Sequence, residues 1–460
     1  MKKKQTKYFC VVLSVLLLAT GCFSEKAHPV ETASTMSPRE NELNLYIGEI
    51  SEEISPFFYL TLGDARLLSL LYSKVLQKDS NGKLSEDAGS ISVIRDGKKD
   101  SRTVYEITLN EKIRDAEGNQ LTADDLVFNY YLRCQTGYRG FDQVNQVDIV
   151  GLEEYQYGAE GNSLQKIKKN IEKIISHPDK SWKKKIQKEI IQPALIQEYA
   201  WTESVYLNRA YGQFTKKYPE VPMLFARFYA LDTTYSGKGK TKEQVIKDIA
   251  AQYGTDYRKL SQVTGDDYST AVRCATLQSL YPERETGLGS IKGIRKIDEH
   301  RIEIETTGYD KRDKERLGDI YLLPRNLYDD SKKEGGLPAG SGAFAQAKKE
   351  KEGWLLTANQ YYWRGVPQIA AVQIMKGSNT SLECIEKIKD GRLDMACVWE
   401  KLESEKKQIK EKLEEKESSW QVAAARGILF STERVNATTI PENMSPDHDI
   451  LQQMEKLEMN

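Results

Sequence analysis

Every second residue from Tyr105 to Leu109 is large and apolar, a period of two that predicts a strand with one face in a core. A polar turn that contains one glycine follows at 115–119. The segment Thr122–Asp125 then has the sequence of a capping box, and apolar side chains between Leu126 and Tyr131 give the next element one broad apolar side. This stretch therefore predicts a strand, a turn and an amphipathic helix.

The same patterns predict further strands and helices along the chain. Asn81-Gly82, between two short runs, predicts a tight hairpin over 77–84. A strand at 369–376, a capped helix that ends at 390–391 and a strand at 393–399 predict a βαβ unit with a parallel pair. The remaining predicted elements of this kind are a strand at 43–50, a helix at 64–76 and a pair of strands at 291–305.

The segment 135–289 has a different pattern. Apolar residues recur at helical spacing from Leu164 to Ile174 and from Trp182 to Ile191, and Thr241–Gln244 is a second capping box. No strand pattern of comparable strength interrupts these helices, so we expect an all-α insertion. The segment is rich in tyrosine, whose amphipathic ring suits either a peptide or glycan surface or the packing of helices.

The N-terminus has the pattern of a targeting segment. Lysines precede an apolar run at 8–19, which as a helix would span about 20 Å, less than the hydrocarbon core of about 30 Å. The run is therefore predicted to be a signal peptide and not a membrane span. Small residues before Cys22 resemble a bacterial lipobox, in which Cys22 becomes the acylated first residue and anchors the chain. An ordinary signal peptide with an accidental cysteine is the alternative.

Composition narrows the function classes. The chain has 460 residues, 29% of them charged, and a net charge of −1, so no overall field attracts it to nucleic acid. A chain of this length is expected to form more than one domain. The four histidines have no metal-binding spacing, and HExxH, GxSxG and phosphate-loop sequences are absent. We therefore predict no enzyme activity, no catalytic residues, no metal and no cofactor.

The cysteines beyond the N-terminal segment are Cys134, Cys274, Cys384 and Cys397. None belongs to a CxxC pair, so structural zinc is not expected. Outside the cytoplasm cysteines can form disulfides, and Cys134 with Cys274 would bracket the insertion. Buried free thiols are the state we expect, with that bridge as the alternative.

The strand, turn and helix of 101–133 are similar to the signature region of extracytoplasmic solute-binding proteins of family 5, which deliver peptides, nickel and some sugars to ABC transporters. Leu109-Asn110 and Leu121–Val127 carry the similarity, although Asn110 stands where the family commonly has a basic residue. Three later segments resemble the family in the same order, namely Gly340–Phe344, Asn359–Trp363 and Gly391–Asp394.

This resemblance implies an α+β fold, the N-terminal lobe of a periplasmic-binding-protein-like (class II) fold with mixed sheets, plus the all-α insertion. No counterpart of the family's second lobe follows residue 436, so we expect most of that lobe to be lacking. The predicted divisions are a lipoprotein signal peptide (1–21), a flexible tether (22–40), the first part of the lobe (41–134), the helical insertion (135–289), the rest of the lobe with the βαβ unit (290–435) and a polar tail (436–460).

The resemblance also implies a function. The protein would be a lipid-anchored, extracytoplasmic binding protein of an ABC importer for oligopeptides, with the permease subunits and the membrane as partners and no nucleic acid. Phe57, Phe58 and Tyr59 stand where family members reach the mouth of the ligand cleft, so we predict ligand contact there, with packing in the core as the alternative. Two other hypotheses stay open: a surface lipoprotein that binds a protein partner through the insertion, and a truncated, inactive product.

Overall fold

The computed structural model describes residues 42–51, 54–57, 61–78, 83–96, 102–136, 138, 140, 142–207, 217–282, 289–328, 337–351, 353–367, 369–377, 379–397, 422–425, 428–431, 435–436 and 458–459. Cys22, Phe58, Tyr59 and the predicted hairpin turn at 79–82 lie outside the described residues. Among the described residues, no helix has both the length and the apolar character needed to cross a membrane.

The described strands and helices fall into two regions, one built mainly of strands and one built of helices. The strands are β1 Glu42–Tyr46, β2 Leu76–Lys78, β3 Leu84–Glu86, β4 Gly89–Arg95, β5 Thr103–Leu109, β6 Ile294–Lys296, β7 Arg301–Thr306, β8 Phe344–Glu350, β9 Gly353–Ala358, β10 Ala371–Met375, β11 Met395–Cys397, β12 Val422–Ala425, β13 Ile428–Ser431, β14 Val435–Asn436 and β15 Glu458–Met459. The helices are α1 Leu62–Leu71, α2 Ala123–Cys134, α3 Leu152–Tyr157, α4 Gly161–Ser176, α5 Lys180–Ile186, α6 Gln192–Leu207, α7 Val221–Tyr229, α8 Lys242–Tyr253, α9 Tyr257–Thr264, α10 Ser269–Leu280, α11 Asp313–Gly318 and α12 Ser381–Lys389. A π-helical turn, Gln187–Ile191, joins α5 to α6.

A mixed sheet of seven strands organises the first region, in the order β12-β13-β11-β1-β10-β9-β8. Strand β1 pairs in parallel with β10 on one side and with β11 on the other. The predicted βαβ unit is therefore present as two strands that run in the same direction and are joined through α12. The prediction that these two strands pair with each other is wrong, because β1 lies between them and pairs with both.

A second sheet has the antiparallel order β4-β5-β7-β6. The predicted alternation is confirmed in β5, where Tyr105, Ile107 and Leu109 are at most 2% exposed. Strands β2 and β3 form the predicted hairpin ladder, and the predicted pair at 291–305 is present as β6 and β7. Strands β5 and β7 are the two inner strands of this sheet, each paired on both sides.

Helix α2 packs against this sheet and is fixed at its start and along its second half. The predicted capping box is formed, since the Thr122 backbone N–H donates to Asp125 Oδ2 at 2.8 Å and the Thr122 side chain accepts from the first turn. Further along the helix, Asn129 Nδ2 donates to the Leu323 carbonyl at 2.8 Å, and the Tyr130 hydroxyl donates to the Leu317 carbonyl at 2.7 Å. These buried bonds join α2 to the chain that returns from the helical region.

The helical region has a core of its own, made where α4 to α10 pack together. Its fully buried residues include Ile171, Ile186, Leu195, Phe225 and Ile249. The described residues between 152 and 280 contain no strand. The predicted α+β class with mixed sheets and an all-α insertion is confirmed, while the division of the chain at the residues given above stays a prediction. Cys134, Cys274, Cys384 and Cys397 are all buried free thiols.

Candidate functional site

A cavity of about 790 Å³ lies between the strand region and the helical region. We call the lining residues within 56–87 and 312–364 the scaffold wall, and those within 197–201, 228–229 and 263–266 the helical wall. Asp142 and Gln143 line the cavity between these two walls. Charged groups of both signs and several aromatic rings face the same space.

The charged side chains of the scaffold wall pair with one another. Arg364 Nη2 lies 2.5 Å from Asp87 Oδ1, and these side chains are only 8% and 10% exposed. Lys74 Nζ lies 2.5 Å from Asp319 Oδ1, and the Lys74 backbone N–H donates to Asp87 Oδ2 at 2.8 Å. Burial raises the pKa of Asp87, and the positive charges of Arg364 and Lys74 oppose that rise.

Two further arginines of the scaffold wall are held in the same way. Arg316 Nη1 lies 3.1 Å from Asp310 Oδ2 and 3.2 Å from Asp313 Oδ1. Burial raises the pKa of Asp313, and Arg316 opposes the rise. Arg312 Nη1 donates to the Gly265 carbonyl of the helical region at 2.8 Å. The scaffold wall is thus a network of opposite charges, one of whose members reaches across to the helices.

Of the three predicted ligand residues, Phe57 is the one within the described part of the chain, and it lines the cavity. Its ring meets Tyr138 and Tyr328 edge-on, with centroid separations of 5.6 and 6.3 Å. The Arg133 guanidinium carbon lies 5.2 Å from the Phe57 centroid. Phe57 therefore packs against the core and also borders the cavity, and its contact with a ligand stays a prediction.

Arg133 lies behind Phe57 and Asp142 and does not line the cavity itself, and its side chain is 1% exposed. Nε donates to Asp142 Oδ2 at 3.0 Å, Nη2 to the Tyr321 carbonyl at 2.9 Å, and Nη1 to the backbone and side-chain oxygens of Asn129 at 3.0 and 3.1 Å. The Tyr138 hydroxyl donates to the same Asp142 oxygen. A buried guanidinium surrounded by acceptors in this way fixes the position of Asp142 on the cavity surface.

The helical wall has a different chemistry. Glu198 and Trp201 are three residues apart on α6 and so share one face of the helix. Burial raises the pKa of Glu198 to about 7, a hydrogen bond from the Tyr229 hydroxyl opposes the rise, and the nearby Asp266 adds to it. The Trp201 ring lies 5.8 Å from the Phe228 ring, and Trp201 is 49% exposed.

The side chain of Gln143 is hydrogen-bonded to both walls. Gln143 Nε2 donates to Asp266 Oδ1 at 2.6 Å, and Gln143 Oε1 accepts from Arg316 Nε at 3.4 Å. The side chain of Asp266 thus accepts a hydrogen bond from an uncharged amide, and Arg316 contacts that amide and not the carboxylate. Among the described residues, no group of three or more histidine, cysteine or acidic side chains is arranged to hold a metal ion.

Sequence reasoning missed the helical wall. Glu198 and Asp266 are two acidic residues among 68, and nothing in their local sequence separates them from solvated side chains. The spacing of Glu198 and Trp201 on one helical face was a usable signal. The sequence alone does not show that Tyr229 and Asp266 come from other elements to the same place.

No family model and no curated protein matches the chain. Solved structures do match, at low identity. The oligopeptide-binding protein AppA from Bacillus subtilis, in complex with a nonapeptide, is 12% identical with a TM-score of 0.42, over 83% of this chain and 47% of that one. Haemophilus influenzae OppA is 14% identical with a TM-score of 0.39, over 88% and 52%.

The Escherichia coli murein tripeptide binding protein MppA is similar at 10% identity and a TM-score of 0.42, over 88% of this chain and 52% of that one. The chain thus spans about half the length of the solved structures it matches. Likeness at this level does not identify what the chain binds.

Proposed function

We propose that the chain is a solute-binding protein of an ABC importer for oligopeptides, and that the solute occupies the cavity between the scaffold wall and the helical wall. The observation that carries this proposal is the cavity itself, about 790 Å³ in volume and lined by both signs of charge and by aromatic rings. Pockets for small ligands measure roughly 300–1,000 Å³ and combine an apolar lining with a few polar groups that fix orientation. The resemblance of 101–133 to family 5 signature regions supports the same function.

A short peptide has the chemistry that this cavity could hold. It has charged ends of opposite sign, polar backbone groups and side chains of varied size, and the lining offers acids, bases and rings. Phe57 is the predicted contact on the scaffold wall, where its ring could pack against an apolar side chain of the ligand. Burial of the ligand between two walls would supply the apolar contact, and polar groups of the lining would set its orientation.

The cellular setting belongs to the same proposal. Cys22 is proposed to be the acylated residue that anchors the chain outside the cell membrane, and the ABC permease subunits are proposed to receive the solute. Two exposed apolar side chains of the helical region, Trp201 and Val263, border the cavity, which favours solute binding over capture of a protein partner through that region.

Thermal melting of the full chain in a mild detergent, with and without a mixed pool of short peptides, tests the proposal. A ligand that binds the folded state stabilises it, so the melting temperature should rise by several degrees when the pool is in excess. Phe57→Ala should reduce that rise. Tyr361→Ala, which removes an aromatic ring that is 48% exposed and does not line the cavity, should leave the rise unchanged. A melting temperature that no peptide pool changes would contradict the proposed function.

A further inference from the structure

Within the described part of the chain, no cation neutralises the two carboxylates of the helical wall. Among the residues that the structure describes, Glu198 accepts the hydroxyl of Tyr229, Asp266 accepts the amide of Gln143, and neither forms an ion pair. A carboxylate that is partly removed from water and has no cation beside it raises the free energy of the folded state. A positive charge supplied by a bound molecule would lower it.

The cations on the opposite wall are already held in place. Arg364 pairs with Asp87, and Lys74 pairs with Asp319, each at 2.5 Å. Moving either cation across the cavity to Glu198 would leave its present acidic partner without a counter-charge. Arg312 does reach the helical region, but there its Nη1 donates to the Gly265 carbonyl and not to a carboxylate of the helical wall.

Two aromatic rings line the cavity on the same wall as Glu198. Trp201 comes one helical turn after Glu198 and packs against Phe228, and all three side chains line the cavity. The face of an indole attracts an ammonium or a guanidinium group within about 6 Å of its centre. Acidic oxygens next to an exposed indole are thus a suitable surface for an organic cation and an unsuitable one for an anion.

We propose that the helical wall is a subsite for a positively charged group of the ligand, an ammonium or a guanidinium, with Glu198 as the carboxylate that binds it and Trp201 as the ring that covers it. This inference rests on the proposed function, since it names the chemical class that the same cavity selects. It assigns selection by charge to residues of the helical region.

The protonation of Glu198 supports the assignment. Burial raises its pKa to about 7. The other titratable groups around this cluster are Asp266 and the phenols of Tyr229, Tyr253 and Tyr268. The charged groups on the neighbouring elements are Arg312, which donates to the Gly265 carbonyl, Arg316, which donates to Gln143, and Lys242, which lies 3.9 Å from Glu203. A cation bound beside Glu198 favours the ionised carboxylate and lowers its pKa. Binding of a cation should therefore release a proton and should become tighter as the pH rises through about 7.

Calorimetric titration of the full chain with trilysine, and with trilysine in which every amine is acetylated, tests the proposal. The two peptides share a backbone and side-chain stems and differ in positive charge. We expect the charged peptide to bind at least about tenfold more tightly, the effect of one charge-assisted hydrogen bond. Glu198→Gln should abolish that preference, because the amide keeps an acceptor for Tyr229 but loses the negative charge.

Two further variants make the result specific. Glu189→Gln should keep the preference, because Glu189 lies just before α6, does not line the cavity and has only a long 3.9 Å contact with Lys185. Trp201→Leu should weaken trilysine binding several-fold while leaving the acetylated peptide unchanged.

Equal affinity for the two peptides, or a preference that persists in Glu198→Gln, would overturn the inference. Such a result alongside a melting temperature that a mixed peptide pool still raises would leave the proposed function standing. A chain that no peptide stabilises would remove both.

Discussion

The two walls of the cavity differ in how their buried acidic side chains are partnered. On the scaffold wall, buried acids are matched by buried bases, as in the pair of Arg364 with Asp87. On the helical wall, Glu198 is desolvated next to a second acid, and its partner is a neutral phenol. The first arrangement is complete without a ligand, whereas the second becomes electrostatically complete only when a cation arrives.

We infer from this difference that the two walls have different roles, a structural one for the scaffold wall and a binding one for the helical wall. A network of paired charges gives position and rigidity, because each member loses a partner if it moves. An unpaired, partly buried carboxylate weakens the folded state and can recover that free energy on binding, which is a common property of functional sites. The predictions below separate these two roles.

The largest effect is expected from breaking the buried cluster under the scaffold wall. Arg133→Met removes the guanidinium. Asp142 then loses its cation, and the carbonyl of Tyr321 loses the hydrogen bond that Arg133 donates to it. Loss of one partner of a buried pair costs about 3–5 kcal/mol of unfolding free energy. Urea unfolding measures it. Arg295→Met, whose side chain is 55% exposed in its pair with Glu303, should cost less than about 1 kcal/mol. Similar losses in the two variants would show that the Arg133 cluster is not structural.

On the helical wall we expect a substitution to raise the free energy of unfolding and not to lower it. The pKa of Glu198 is raised from 4.5 to about 7 on folding, so the folded state binds the proton more strongly than the unfolded state does. The resulting loss of stability is absent at low pH, grows as the pH rises from the ordinary to the raised value, and is complete above it.

Glu198→Gln removes this loss and should stabilise the ligand-free chain at pH above about 7, by as much as ~3 kcal/mol, with no gain at the acidic end of the range. Urea unfolding at several pH values measures the difference between the variant and the wild type. A gain that does not depend on pH, or a loss of stability above neutral pH, would contradict this account of the helical wall.

An intermediate effect is expected at Phe57, which belongs to the packed side of the comparison. Phe57→Ala removes a partly buried ring with two edge-on aromatic contacts and should cost about 1–3 kcal/mol of unfolding free energy. The same substitution at Tyr361, 48% exposed, should cost clearly less. If the two variants unfold at the same urea concentration, the ring of Phe57 is not held as the structure places it.

The smallest effects should be equal in the two regions. Thr122→Ala and Thr241→Ala each remove a capping box, one at the start of α2 and one at the start of α8. Each should cost about 1 kcal/mol, as the loss of an N-cap usually does. A large difference in urea unfolding between the two would indicate that the regions differ in more than the charges at the cavity.

Local patterns were enough to predict much of the fold. The alternation from Tyr105 to Leu109 and the capping sequence Thr122–Asp125 specify their elements through contacts close in sequence, and β5 and α2 are where they were expected. The position of β1 between β10 and β11 was not predictable in this way. It depends on pairing between Leu45 and residues 374 and 395, which lie more than three hundred positions away.

The candidate site was predictable only in part, for the same reason. Phe57, which borders the cavity, was predicted as a ligand contact because its segment stands where family members reach the mouth of their cleft, and that contact stays a prediction. Glu198 acquires its character from a tyrosine on another helix and an aspartate after a third, so burial and not sequence sets its pKa. A charge pattern along the chain does not report which acids will lack a base once the chain has folded.

The most direct test of the central claim is the pKa of the Glu198 carboxyl, measured by NMR on a chain with carbon-13 at the glutamate side-chain carboxyls and assigned by its absence from the spectrum of Glu198→Gln. We predict a pKa of about 7 in the free chain and a clear fall when trilysine is added. A pKa near the ordinary glutamate value of about 4.3 in the free chain, or one that trilysine leaves unchanged, would contradict the claim that the helical wall holds a carboxylate waiting for a cation.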